Sequence, residues 1–288
     1  MSIVSELQSL LAPDRIDLAR AALVIAKLEW PALDPEPSLG ALDRLAERAA
    51  IRFGRVAGTS VRPRIAALNT LLFEEEGFAG NRAHYDDYRN SFLNVVLERR
   101  LGIPITLALV YMEVARRANF EVQGVAFPGH FLMRVPARAS LADEDAVILD
   151  PFNAGAEVSQ ADCRRLLSQH LGTMDEGTDF DPALLAPCTP RHMLARMLNN
   201  LKRAYIDLRS FPQARSVADL LLTVDPSIRS ELRDRGLLAY HLDDFPAALR
   251  DLESYLRLNA WNEEADREER EQIWDHVKAL RRRVAGMN

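Results

Sequence analysis

Two side chains pose the first chemical question. His130, in PGHFLMRV, and Asp150, in ILDPFNAG, stand at the start of one predicted strand and at the end of another. An imidazole can take a proton from a thiol, a hydroxyl or water. A carboxylate behind it fixes the tautomer and stabilises the imidazolium, so the two belong on neighbouring rigid strands. The partner such a pair serves is a thiol at a helix N-terminus, where the helix dipole lowers its pKa. Both residues also have plain structural uses. A histidine after Pro-Gly can be a satisfied structural side chain, and an aspartate before proline can close an Asx-turn. Other chemistries find little support. The histidines at 84, 130, 170, 192, 241 and 276 are scattered, with no H-E-x-x-H and no C-x-x-C, so no metal is expected. No Walker A loop occurs and no G-x-G-x-x-G follows a strand, so no cofactor is expected either.

The elements that must hold His130 and Asp150 read as helix, then sheet. The apolar run IPITLALVYMEVA opens a helix over 103 to 118, with Leu107, Val110, Tyr111 and Val114 on one face. Three short β-rich runs follow, VQGVAF (122 to 127), HFLMRV (130 to 135) and AVILD (146 to 150). A Pro128-Gly129 turn and the polar stretch ARASLADEDA separate them, and such short connections favour antiparallel pairing. The fold class is therefore α+β over about 81 to 186. Residues 1 to 80 carry helical periodicity, interrupted at Trp30-Pro31, and read as a helical cap.

Beyond Pro190 the chain returns to helices and repeats itself. Asn200-Leu201, Phe211-Pro212, Ala214 and Asp225 correspond to Asp234-Arg235, Phe245-Pro246, Ala248 and Asn259, each 34 residues later. That period is the tetratricopeptide one: a helix, a turn and a second helix, which buries its apolar face by stacking on the next pair. A final helix with Ile273, Val277, Leu280 and Val284 on one stripe closes the stack, giving an all-α domain of five helices over 190 to 288.

Composition narrows the partners. The 288 residues are 48% hydrophobic and 27% charged, and 36 Lys and Arg against 42 Asp and Glu leave a net charge of −6. That balance supplies no field for nucleic acid or an anionic membrane. The longest apolar segment, 103 to 115, is shorter than the roughly 20 residues a bilayer requires, so no membrane insertion is expected. Two cysteines, Cys163 and Cys188, make no disulfide framework, and the start of the chain has no signal-peptide pattern, which points to the cytoplasm. The sequence carries no signal for an oligomeric state.

The stretch RRLGIPITLALVYMEVARRANFEVQGVAFPGHFLMRV, followed by ILDPFNAG, resembles the transglutaminase-like (papain-like) core. With LDPEPSLGALDRLAERA upstream and the repeats downstream, the chain is similar over about residues 15 to 260 to the bacterial SirB group of that superfamily. The superfamily pattern implies a nucleophilic cysteine at the start of the buried helix, then a histidine, then an aspartate. Histidine falls on His130 and aspartate on Asp150, while the cysteine position falls at or next to Ile105, where there is no thiol. Thr106 is the neighbouring hydroxyl that His130 could activate, although a helical threonine more often bonds a backbone carbonyl. Cleft candidates are Asn94, Glu98, Arg99 and Arg100 in NSFLNVVLERRLGIP, together with Ile105 and Tyr111. The first four read equally as a solvated helix face. Glu113 is expected to pair with Arg99 or Arg100.

Two functions follow. The resemblance without its cysteine implies a retained scaffold with altered or absent chemistry, and the repeats imply a protein or peptide partner. The alternative is a cysteine-less amidase, protease or acyltransferase in which His130 activates Thr106 or water, and amides at the start of the 103 to 118 helix form the oxyanion hole.

Overall fold

The computed structural model describes residues 2–13, 15–56, 60–136, 146–171, 180–258 and 267–285. Most of the ARASLADEDA stretch and Asn259 lie outside them. The chain forms two compact units, Asp14–Met197 in one, Met1–Pro13 with Leu198–Asn288 in the other. This division differs from the expected 1–80, 81–186 and 190–288. The helices after Pro13 belong with the α+β core, and the first helix, α1 (Ile3–Leu11), belongs with the repeats. Leu7 and Leu11 of α1 are buried, a tertiary contact that local periodicity does not encode.

In the larger unit, α2 (Leu18–Ala26) starts where the Asp17 carboxylate accepts the Arg20 N–H at 3.0 Å. It is followed by α3 (Glu36–Phe53) and α4 (Arg62–Asn69), each with proline in its first turn. A single π-helical turn, Thr70–Glu75, then leads to α5 (Leu93–Arg99). The central helix is α6 (Pro104–Arg117), buried from Pro104 to Tyr111 and again at Glu113, Val114 and Ala115. A two-residue parallel pair, β1 (Ala79–Gly80) with β2 (Leu101–Gly102), ties the start of α6 to the preceding loop.

The predicted antiparallel sheet is present and gains a fourth strand. Its order is β3 (Gln123–Val125), β4 (Leu132–Val135), β5 (Val147–Asp150), β6 (Ala156–Glu157), each strand pairing with the next. Met133 lies opposite both Gly124 and Leu149, so alternate residues sort to the two faces. Val125, Leu132 and Ile148 share one face, and Cys163 and Leu167 of α7 (Gln160–Leu171) pack into the same cluster. Met133 and Leu149, on the other face, are fully buried. α6 packs on β3 and β4. Each fully buried Leu, Val or Phe here stabilises the fold by roughly 1.5–3 kcal/mol.

The other described helices are α8 (Pro190–Asp207), α9 (Phe211–Val224), α10 (Arg229–His241), α11 (Phe245–Leu258) and α12 (Arg267–Ala285). Phe211 and Phe245 each open a helix, at the equivalent positions the 34-residue offset demands, and Ala214 and Ala248 are both fully buried. Ile273, Val277 and Leu280 of α12 join Ala248, Leu252 and Tyr255 in one core, whereas Val284 stays half-exposed.

Candidate functional site

His130 and Asp150 are brought side by side. The His130 Nε2 atom lies 3.0 Å from Asp150 Oδ1, at the head of the β4–β5 pair. The ring N–H is not aimed along that line, so the contact is a close approach rather than a directed hydrogen bond. His130 stands two residues before β4, in the turn after Gly129, where φ is +68° and a Cβ would overlap the His170 ring. Glycine is therefore required there.

Asp150 serves both roles the sequence left open. Its Oδ1 accepts the Phe152 N–H at 2.8 Å and the Asn153 N–H at 3.3 Å, closing an Asx-turn, while Oδ2 accepts the Asn153 Nδ2 donor at 2.6 Å. Burial pushes the Asp150 pKa up, but His130, the Asn153 amide and the Phe152 N–H outweigh it and hold the carboxyl below the ordinary value. Asn153 passes the arrangement outward, since its Oδ1 accepts from the Arg82 guanidinium.

The loop carrying Arg82 is clamped by two buried asparagines. Asn81 Nδ2 donates to Asn90 Oδ1 at 2.9 Å, and Asn90 Nδ2 donates to the carbonyls of His84 at 2.7 Å and Tyr85 at 3.1 Å. The Asn90 carbonyl in turn accepts the Thr106 hydroxyl at 2.8 Å, and the Thr106 oxygen accepts the Ile103 N–H at 3.2 Å. Gly102 permits this approach, because a Cβ would lie 2.9 Å from that oxygen. Thr106 is fully buried with its proton committed to a carbonyl. Its hydroxyl braces the start of α6, where the nucleophile role had been anticipated.

The remaining candidates separate. Ile105 is buried in α6. Tyr111 is a core residue rather than a cleft residue, fully buried and stacked on Phe73 with ring centroids 6.1 Å apart, and burial drives its pKa far up. Arg99 pairs with Asp87 at 3.3 Å, and Arg100 pairs with Glu76 at 3.1 Å and lies over the Phe78 ring. The expected partner of Glu113 is corrected accordingly: it pairs with Arg116 and Arg117, one turn along its own helix. Asn94 is half-buried and Glu98 exposed on α5. Both cysteines are free, and burial raises the pKa of each, with the Asp162 charge adding to the effect at Cys163.

Residues the sequence reading passed over complete the site. Phe152 meets the rings of His130 at 6.4 Å and Tyr85 at 5.7 Å, with the Arg82 guanidinium 4.8 Å above its face. Arg196 donates to the His130 carbonyl at 3.1 Å. ILDPFNAG contained Phe152 and Asn153, so their place beside Asp150 was the one signal available. A cavity of about 750 Å³ lies elsewhere in this unit, between Ile16–Leu18 and the end of α6, lined by Met112, Glu113, Arg116 and Phe120. Its size does not make it the site, because Glu113 and Arg116 neutralise each other and no imidazole lines it. Among the described residues no three His, Cys, Asp or Glu side chains are grouped to hold a metal ion, and no helix is long and apolar enough to cross a membrane.

Comparison with known proteins accounts for this scaffold. Residues 36–199 match the transglutaminase-like superfamily, and residues 201–276 match the tetratricopeptide repeat. A UPF0162 protein of Xylella fastidiosa is 38% identical over 248 residues, 85% of each chain, and one of Vibrio cholerae is 30% identical over 247 residues, 84% of this chain and 86% of its own. Human F-box only protein 21 is 32% identical over 187 residues, 62% of this chain but 28% of that protein. No solved structure matches. The helix, turn and sheet that hold His130 against Asp150, with repeats following them, are thus those of the group resembled, and the chain belongs to the transglutaminase-like superfamily, alongside the bacterial UPF0162 proteins of SirB type.

Proposed function

We propose that this protein is a non-catalytic or chemically diverged transglutaminase-like protein that holds a protein or peptide partner through the His130–Asp150 face and its helical repeats. One observation carries the reading. His130 and Asp150 lie 3.0 Å apart, while Ile105, at or next to the place the resemblance gives to the cysteine, is buried and the adjacent Thr106 hydroxyl is bonded to the Asn90 carbonyl. Loss of the nucleophile with retention of its surroundings favours recognition over turnover. The repeat match over residues 201–276 supports a protein partner, since stacked helix pairs present extended surfaces to chain segments. Two free thiols suit a reducing, cytoplasmic setting.

The enzyme reading survives in one form, with water as nucleophile, because an imidazole whose Nε2 faces a carboxylate keeps its second nitrogen for a proton. The test places a photo-crosslinking residue at exposed position 85 or at exposed position 274 of the intact protein in native lysate. A defined protein adduct at either position, displaced by excess unmodified protein, supports recognition. His130-dependent hydrolysis of glutaminyl or peptide amides, with no adduct, overturns it.

A further inference from the structure

Several arginines of this chain answer to an acid. Arg48 and Arg52 meet Glu75, Arg99 meets Asp87, Arg117 meets Asp43, and Arg235 holds both Asp219 and Asp251. Two guanidiniums that border the His130–Asp150 pair do not. Arg196 is half-buried, and among the described residues its hydrogen bond goes to the His130 carbonyl, with no carboxylate in reach. Arg82 meets the Asn153 amide oxygen and the Phe152 ring face, again with no carboxylate among the described residues. Neutral acceptors occupy few of the five N–H donors of each group. For half-buried Arg196, partial withdrawal from water without an anion is costly, and a carboxylate that takes the open fork recovers the cost; exposed Arg82 offers its free donors directly.

The surroundings bear this out. Burial pulls the Arg196 pKa down, and the polar groups that act on it are Tyr85 and Cys188, neither of them an acid of the carboxylate class. Aromatic rings adjoin both cations, Phe152 under Arg82 and Tyr85 near Arg196. Tyr85 is 46% exposed and packs edge-on to Phe152 at 5.7 Å. The Asn81–Asn90 clamp holds the Arg82–Tyr85 loop in this position before any ligand arrives, which lowers the ordering cost of binding.

We propose that Arg82 and Arg196, on either side of the His130–Asp150 pair, receive the carboxylates of an acidic peptide segment, whose apolar portion rests on Tyr85 and Phe152. This rests on the recognition reading above and gives it a ligand chemistry.

The test uses the full-length protein and fluorescein-labelled hexaglutamate, with hexaglutamine as the uncharged control and inorganic phosphate as competitor, read by anisotropy. Hexaglutamate should bind at least about tenfold more tightly than hexaglutamine, and added salt should weaken it. Arg82→Gln and Arg196→Gln should each lower the affinity about fivefold to tenfold, the loss of one charge-assisted pair. Arg82 is on the exposed loop, so its variant folds even where Arg196→Gln is perturbed, as an unchanged circular dichroism spectrum would certify. Equal binding of the two peptides, no binding, or full affinity in Arg82→Gln overturns the proposal. Displacement by phosphate at lower concentration than by unlabelled hexaglutamate also overturns it, in favour of a phosphate site. A crosslinked partner in lysate alongside failure of hexaglutamate would leave recognition standing and remove the acidic ligand alone.

Discussion

Asp150 in the α+β unit and Glu231 in the repeat unit are carboxylates buried to the same degree, each 3% exposed, yet their surroundings move their acidity in opposite directions. Asp150 gathers a facing imidazole and three N–H donors, which overcome burial and lower its pKa. Glu231 is pushed up by burial, and the Lys202 ammonium at 2.7 Å does not cancel this, with the nearby Asp234 charge adding to the rise. The second arrangement is closed, with all three ammonium protons placed, on Glu231 Oε1, Glu231 Oε2 and Asp234. The first is open, passing through Asn153 to a guanidinium that still has donors to offer. A buried polar network that closes on itself pins helices, while one that ends in unanswered donors is a place for a ligand.

The comparison breaks most visibly at its closed end. Lys202→Met leaves Glu231 buried without its counter-charge and should cost about 3–5 kcal/mol in urea unfolding. Glu231→Gln, which leaves Lys202 with Asp234, should cost less. If the two variants unfold alike, the cluster is not a shared-lysine device. Packing in the same unit gives the next effect. Ala248 is fully buried, and a Cβ on Gly236 would lie 2.8 Å from the Leu252 side chain, so α10 and α11 are in close approach. Ala248→Leu should cost about 1–3 kcal/mol by overpacking. A thermal midpoint equal to that of the parent would mark the 34-residue correspondence as accidental.

At the open end, Asp150→Asn should cost about 1–3 kcal/mol near neutral pH. Because the folded pKa of Asp150 lies below its unfolded value, its stabilisation is complete above the ordinary carboxylate range and is lost as pH falls through the lowered folded pKa. Parent and variant should therefore converge in acid. Glu231 has the reverse sign: with a raised folded pKa, its ionisation subtracts stability as pH rises from the ordinary carboxylate value through the raised one. A gap between parent and Asp150→Asn that widens in acid would refute the assignment at Asp150. The smallest effect is kinetic. Cys163 is fully buried and both thiols have raised pKa values, so a disulfide reagent at neutral pH should modify the native protein more slowly than a free thiol. A faster reaction at either residue would reveal a nucleophile displaced from the Ile105 position.

Much of the fold was legible because it is written in local patterns. The apolar face of α6, the alternating runs of β3, β4 and β5, and the Phe-Pro-x-Ala recurrence each follow from spacing within one element. His130 and Asp150 were legible because their types and positions at strand ends suit one chemistry. What stayed hidden depends on contacts between distant segments. Arg196 reaches His130 from 66 residues away, and the Asn81–Asn90 clamp uses uncharged residues with no periodicity to mark them. Arg99 and Arg100 show the same limit, since their partners Asp87 and Glu76 lie in loops that spacing does not reveal.

The pairing of α1 with α9 has a consequence for how the protein is made. Residues 14–197 are contiguous and can fold as they leave the ribosome, whereas Leu7 and Leu11 must wait for a helix that begins at Phe211. At translation rates of roughly 5–20 residues per second, that interval is about 10 to 40 s. For its duration α1 carries uncovered leucines, a surface open to chaperones and to neighbouring chains on the same messenger.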